Sequence, residues 1–354
     1  MKLRVVPIAL SLALSGGVPG LIAATAVPAA AATATATATY TMTDLGSLGL
    51  GVSRGFGINA AGEVVGRSYL AQSFPTTGCP PTHTCVTHPA EPFSWTAGTM
   101  TDLGTLGVPL GKKTVCNPPD CFGEARAVNR NGDIVGLSDG QAFLVHNGKM
   151  SSLGPGTATG INDFGEIAGS TSCCHAFLVS GGTTTTLPDL SSSGGSGASG
   201  INNNHQVVGG SDNAAGYSHA VMWSNGTITD LGTLGGTRSA AYAINDLGQV
   251  TGWAHTASEA THVFLWSGGK MRDLGTFGLD PVGEAINNHG VIVGQSGAGA
   301  WVWSGGVFQN LNNLIPPGSG FTLDNATAIN ANGQIVANGY NAQGQEHAFL
   351  LTPS

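Results

Sequence analysis

The chain has 354 residues, of which only 9% are charged, with 56 glycines and a formal net charge of −8. A thinly acidic surface without basic runs argues against nucleic acids and anionic membranes as partners. Gly, Thr, Ser, Asn and Val in short runs point to strands and tight turns, and no stretch of the body has the pattern of an amphipathic helix.

Residues 1–32 have the form of a secretory signal peptide: Lys2 and Arg4 make a basic start, Val5 to Leu14 an apolar run, and Ala29, Ala30 and Ala31 a small-residue cleavage site. The apolar run is too short for a confident membrane span; a retained anchor is the alternative. Cleavage takes the formal charge from −8 to −10, and the Ala/Thr alternation of residues 33–39 becomes a linker ahead of a single domain, 40–353.

That domain repeats. Seven segments share apolar-Asn-x-x-(Gly)-x-apolar-apolar, centred on Asn59, Asn129, Asn162, Asn202, Asn245, Asn287 and Asn330. The last four steps are 40 to 43 residues, the second is 33, and the first is 70 because of insertions. A period near 40 with several short strands per unit predicts an all-β, seven-bladed β-propeller of four-stranded antiparallel blades; an open β-solenoid would use the same strands. Within one unit the sequence predicts strand A at Ala240–Ile244, strand B at Gln249–Trp253, strand C at His262–Trp266 and strand D at Lys270–Leu274. Asn245–Gly248 and Ser267–Gly269 are the tight turns between A and B and between C and D. The domain begins with a D strand, Tyr40–Leu45, and ends with A, B and C only. These fragments are complementary, so a ring is expected to close by pairing Tyr40–Leu45 with His347–Leu351, which hides its edges.

The stretch His219–Gly252 carries the pattern His-Ala-Phe-Leu-Trp, then Asp-Leu-Gly-Thr-Leu-Gly-Gly, then Ala-x-x-Ile-Asn-x-x-Gly-x-Val-x-Gly. It resembles the HAF-repeat family of extracellular bacterial proteins. The resemblance implies an exported repeat protein and carries no assigned reaction. Hairpin geometry pairs the first residue of C with the end of D: His219 with Asp230, His262 with Asp273 and, across the closure, His347 with Asp44. Pairs that recur unit after unit are expected to be structural, because a partly buried polar group needs a partner. Trp95, Trp223, Trp266 and Trp303, at the ends of C strands, are expected to pack the sheets.

Six cysteines in an exported chain favour disulfides. Local pairing of Cys79 with Cys85 and of Cys116 with Cys121 is expected, with crossed connectivities and a zinc site as alternatives; Cys173 and Cys174 are left as a strained vicinal pair or free thiols. The A–B and C–D turns are uniformly short, so length variation collects in the B–C and D–A loops on the other face, the longest being 69–89 and 107–123. Function in repeat proteins collects in such insertions. His83, His88, Lys112, Lys113, Asp120 and Arg126 are the candidate binding residues.

No HExxH or Walker motif is present, no dinucleotide fingerprint stands before a helix, and Asn129–Asp133 lacks the carboxylates of a calcium loop. The sequence therefore points to a secreted or cell-surface, non-catalytic protein without cofactor or metal. It is expected to be a monomer that binds an extracellular protein or glycan through the B–C/D–A face. A propeller-fold glycan lyase or hydrolase is the alternative.

Overall fold

A computed structural model of the chain describes residues 39–75, 86–107 and 122–354. Among these residues the fold is all-β, with one short 3₁₀ turn at Leu311–Asn313. No helix among them is long and apolar enough to cross a membrane. The predicted strands are present and extend further than the sequence pattern suggests. In the fifth repeat they run Gly235–Ile244, Val250–Thr256, Thr261–Ser267 and Lys270–Gly275, hydrogen-bonded in that order as an antiparallel meander.

The sheets depart from seven separate sets of four. Among the described residues there are five four-stranded sheets, one seven-stranded sheet and a two-stranded ribbon, Phe74–Pro75 with Val86–Thr87. The seven-stranded sheet arises because Lys149–Ile161 is one continuous strand. Its first half pairs with Gln141–His146 as strand D of the second repeat, and its second half pairs with Ile167–Thr171 as strand A of the third. Gly154 (φ 104°) and Gly156 (φ 135°) take the corner between the halves, backbone that only glycine adopts without strain. The 33-residue step of the sequence is this missing loop.

Each sheet buries its faces against its neighbours. Val263 of the fifth repeat packs with Ile292, Trp301 and Trp303 of the sixth, and Val293 and Val302 of the sixth pack with Leu323 and Phe349 of the seventh. The last sheet then packs on the first: Val336, Ala348 and Leu350 share a core with Val64, Phe93 and Trp95. The N-terminal strand Tyr40–Asp44 completes the last sheet, antiparallel to Glu346–Pro353, with Tyr40 opposite Pro353 and Asp44 opposite Phe349.

The repeated Asn locks the inner ends of the sheets. Asn245 Oδ1 accepts from the backbone N–H groups of Leu247 and Gln249, which fixes the A–B turn. Its Nδ2 donates 2.9 Å to the backbone oxygen of Asn287 in the next repeat. The same donation passes from Asn59 to Asn129, Asn162, Asn202, Asn245, Asn287 and Asn330, and from Asn330 back to the oxygen of Asn59. All seven Asn are buried, so the relay satisfies groups that could not reach water.

The structure brings the His/Asp partners together: His219 Nδ1 lies 2.8 Å from Asp230 Oδ2, His262 Nδ1 2.9 Å from Asp273 Oδ1, and His347 Nδ1 2.9 Å from Asp44 Oδ2. The residues are not cross-strand neighbours. Asp230 faces Val221, and a bulge between Ala220 and Val221 aims it at His219. Asp189 reaches His175 (3.0 Å) despite its longer connection, and in the second repeat Ser152 donates to Gln141 instead.

Candidate functional site: the axial cavity

Every A strand carries a β-bulge three residues before its Asn: between Gly55 and Gly57, Ala125 and Ala127, Ala158 and Gly160, Ala198 and Gly200, Ala241 and Ala243, Gly283 and Ala285, and Ala326 and Ala328. A bulge sets two residues against one and re-aims the extra side chain. Here the extra residues are Phe56, Arg126, Thr159, Ser199, Tyr242, Glu284 and Thr327, and together they line one cavity of about 220 Å³ on the axis of the array. The flanking residues are small because the A strands crowd together. A Cβ on Gly57 would sit 2.7 Å from the Arg126 carbonyl oxygen.

Charge is unevenly placed around this ring. Arg126 and Arg67 both pair with Glu124, whose carboxylate is buried. Arg54, Arg67 and Arg126 all lie within 5.9 Å of the centre of the Phe56 ring. Arg54 also pairs with Glu346 at 3.4 Å. On the opposite wall Glu284 accepts a 2.8 Å hydrogen bond from Gln295 Nε2. Loss of solvation among the packed strands pushes the Glu284 carboxyl up to about 7, partly offset by that hydrogen bond and by Arg54. Asp324 and Glu346 are also raised by desolvation, against the pull of Arg54. Arg54 Nε, Arg67 Nε and Asp324 Oδ1 are buried without a hydrogen-bond partner, a condition that folded proteins rarely tolerate without a use.

The other end of the axis is a depression of about 450 Å³ lined by the apolar residue before each ring Asn, including Ile58, Val128 and Ile244, and by the Asn themselves. Polar groups at its rim are already spent on each other. Asp163 N donates to Asn203 Oδ1, Asn203 N to Asp246 Oδ1, and Asp246 N to Asn288 Oδ1. It offers a ligand little.

Of the two candidate binding residues that are described, His88 and Arg126, only Arg126 reaches the cavity. His88 Nδ1 lies 3.1 and 3.2 Å from the backbone oxygens of Leu70 and Gln72, where it ties the base of its loop. His83, Lys112, Lys113, Asp120, Cys79, Cys85, Cys116 and Cys121 lie outside the described residues, as do residues 1–38. Cys173 and Cys174 are exposed and unpaired. Among the described residues no group of three or more His, Cys, Asp and Glu could hold a metal ion. The carboxyls of this face look scattered in sequence, yet Glu284, Asp324 and Glu346 all come under the influence of Arg54. Sequence reading misses Phe56, Tyr242 and Glu284 because each stands in a different repeat. The available signal is the second residue of Gly-Phe-Gly-Ile-Asn, Ala-Arg-Ala-Val-Asn and Gly-Glu-Ala-Ile-Asn, which varies freely between constant neighbours.

No protein-family model matches the chain, and no curated protein matches it. Among solved structures it is similar to TolB from Acinetobacter baumannii, with 11% identity over 82% of this chain and 63% of that one, and a TM-score of 0.38. It is also similar to an acylaminoacyl peptidase from Pyrococcus horikoshii, with 10% identity over 85% of this chain and 52% of that one, and a TM-score of 0.48. The chain thus spans less than two thirds of the length of either structure.

Proposed function

We propose that this chain is an exported HAF-repeat protein, a seven-bladed propeller whose last blade is shared between its termini. It binds an extracellular protein or glycan, without catalysis, through the face that carries the B–C and D–A loops. The observation that carries this reading is the inequality of the two faces. On the A–B side, hydrogen bonds run unbroken from repeat to repeat through the seven Asn. Toward the other side lie the described ends of the insertions, residues 70–75 and 86–89, and the buried, unpartnered atoms of Arg54, Arg67 and Asp324. The seven-stranded sheet counts as two blades that share one strand. The test is an array of glycans and secreted proteins probed with the mature chain and with a variant lacking residues 70–88. Binding lost on deletion supports the reading, whereas undiminished binding removes that loop from the site.

One observation favours a hydrolase or lyase instead: Glu284 lines the cavity and burial raises its carboxyl to about 7, as a general acid for a glycosidic bond requires. Turnover of a polysaccharide panel by the wild type, abolished in Glu284→Gln, would establish this second reading.

A further inference from the structure

We propose that the axial cavity is a binding site for a carboxylated sugar, with Arg126 holding the carboxylate and the opposite wall holding hydroxyl groups. This deepens the loop-face reading by naming the chemistry of one ligand.

Arg126 is the most accessible of the three arginines around Phe56, its side chain 41% exposed against 29% for Arg54 and 18% for Arg67. Arg126 and Arg67 share the single carboxylate of Glu124, so it does not balance both guanidinium charges. A guanidinium presents parallel N–H groups that match a carboxylate. In the cyclic order set by the Asn relay, Arg126 and Glu284 stand three positions apart among seven, on opposite walls. Around the rest of the ring the lining can meet hydroxyl groups with the Glu284 carboxyl, which Gln295 Nε2 holds in place, and with the Ser199 and Thr327 hydroxyls. Phe56 and Tyr242 supply flat apolar surface between the polar walls, suited to the C–H face of a pyranose. The volume, about 220 Å³, lies below that of pockets for drug-sized ligands, which restricts the occupant to a single ring or a chain end.

The experiment is calorimetric titration of the mature chain with D-glucuronate, methyl β-D-glucuronide, D-glucose and inorganic phosphate. Glucuronate is expected to bind at least about tenfold more tightly than glucose or phosphate, equivalent to ~1.4 kcal/mol. Arg126→Gln is expected to lose about tenfold in affinity, with a lower urea midpoint because buried Glu124 keeps only Arg67 as its cationic partner. If Arg126→Gln does not fold, Arg126→Lys keeps the charge for Glu124 and is expected to lose at least about threefold, because it gives up the planar fork. The glucuronide binding more tightly than the free acid would identify a glycan terminus as the occupant, and the reverse a free sugar acid. Glucose binding equally well, phosphate binding as tightly as glucuronate, no binding of glucuronate, or unchanged affinity in a folded Arg126 variant would each overturn the proposal. The array with and without residues 70–88 reads the loop face separately, so failure here leaves that result standing.

Discussion

Glu284→Gln is predicted to stabilise the protein in neutral and alkaline solution and to leave it unchanged in acid. Burial raises the Glu284 pKa from 4.5 to about 7, so the folded state holds a proton that the unfolded chain releases. This group's contribution is therefore fully present below pH 4.5, declines as the pH rises, and is gone above about 7. The gap of some 2.5 units corresponds to ~3 kcal/mol. Glutamine keeps the shape and can still accept from Gln295 Nε2, but it has no proton to lose. Urea unfolding of wild type and variant across pH 4 to 8.5 gives the difference in stability at each pH. It is expected near zero at pH 4 and close to ~3 kcal/mol in favour of the variant at pH 8. A difference that does not depend on pH, or a variant less stable at pH 8, would refute the argument that Glu284 is held uncharged by its surroundings.

Asn245→Asp keeps the acceptor for Leu247 and Gln249 but removes the donor to Asn287. Denaturant midpoints should show a loss of ~2–3 kcal/mol at pH 7, shrinking in acid as the carboxyl regains a proton to donate. Gly252→Ala places a Cβ on the backbone oxygen of Ala240, and thermal unfolding should report a loss of ~3 kcal/mol or more. Deleting residues 40–46 removes the strand against Glu346–Pro353 and uncovers Phe349 and Leu351. Calorimetry should then show one cooperative transition weakened by ~5 kcal/mol; a change below about 1 kcal/mol would exclude a structural role for this strand.

The strands and turns were legible because their signals are local. Asn245, Gly248 and the alternating apolar residues specify a hairpin whatever lies beside it. Pairing across the chain ends was legible too, since Tyr40–Asp44 and Glu346–Pro353 each lack what the other supplies. Two things were not. The role of Asn245 as a link to Asn287 depends on where the neighbouring repeat's carbonyl falls, and turn chemistry alone says nothing of that. The axial cavity depends on a bulge at one position of every A strand, so residues 56, 126, 242 and 284 converge only after the sheets are arranged about an axis. Arg126 was singled out for its nearness to an insertion, and it lies in the cavity for a different reason.

The bulge also separates two kinds of constraint. Gly55, Gly57 and Ile58, with their counterparts in the other repeats, carry the close packing of the A strands, whereas the residue between them touches mainly the cavity. Phenylalanine, arginine, threonine, serine, tyrosine and glutamate all occupy that one backbone site. The scaffold thus holds quite different side chains there, although Thr159 and Thr327 also spend their hydroxyls on backbone oxygens of their own and the neighbouring repeat. Seven positions of differing chemistry facing one small space make a combinatorial reader. Exchanging one side chain at a time would re-tune its preference while the architecture stays as it is.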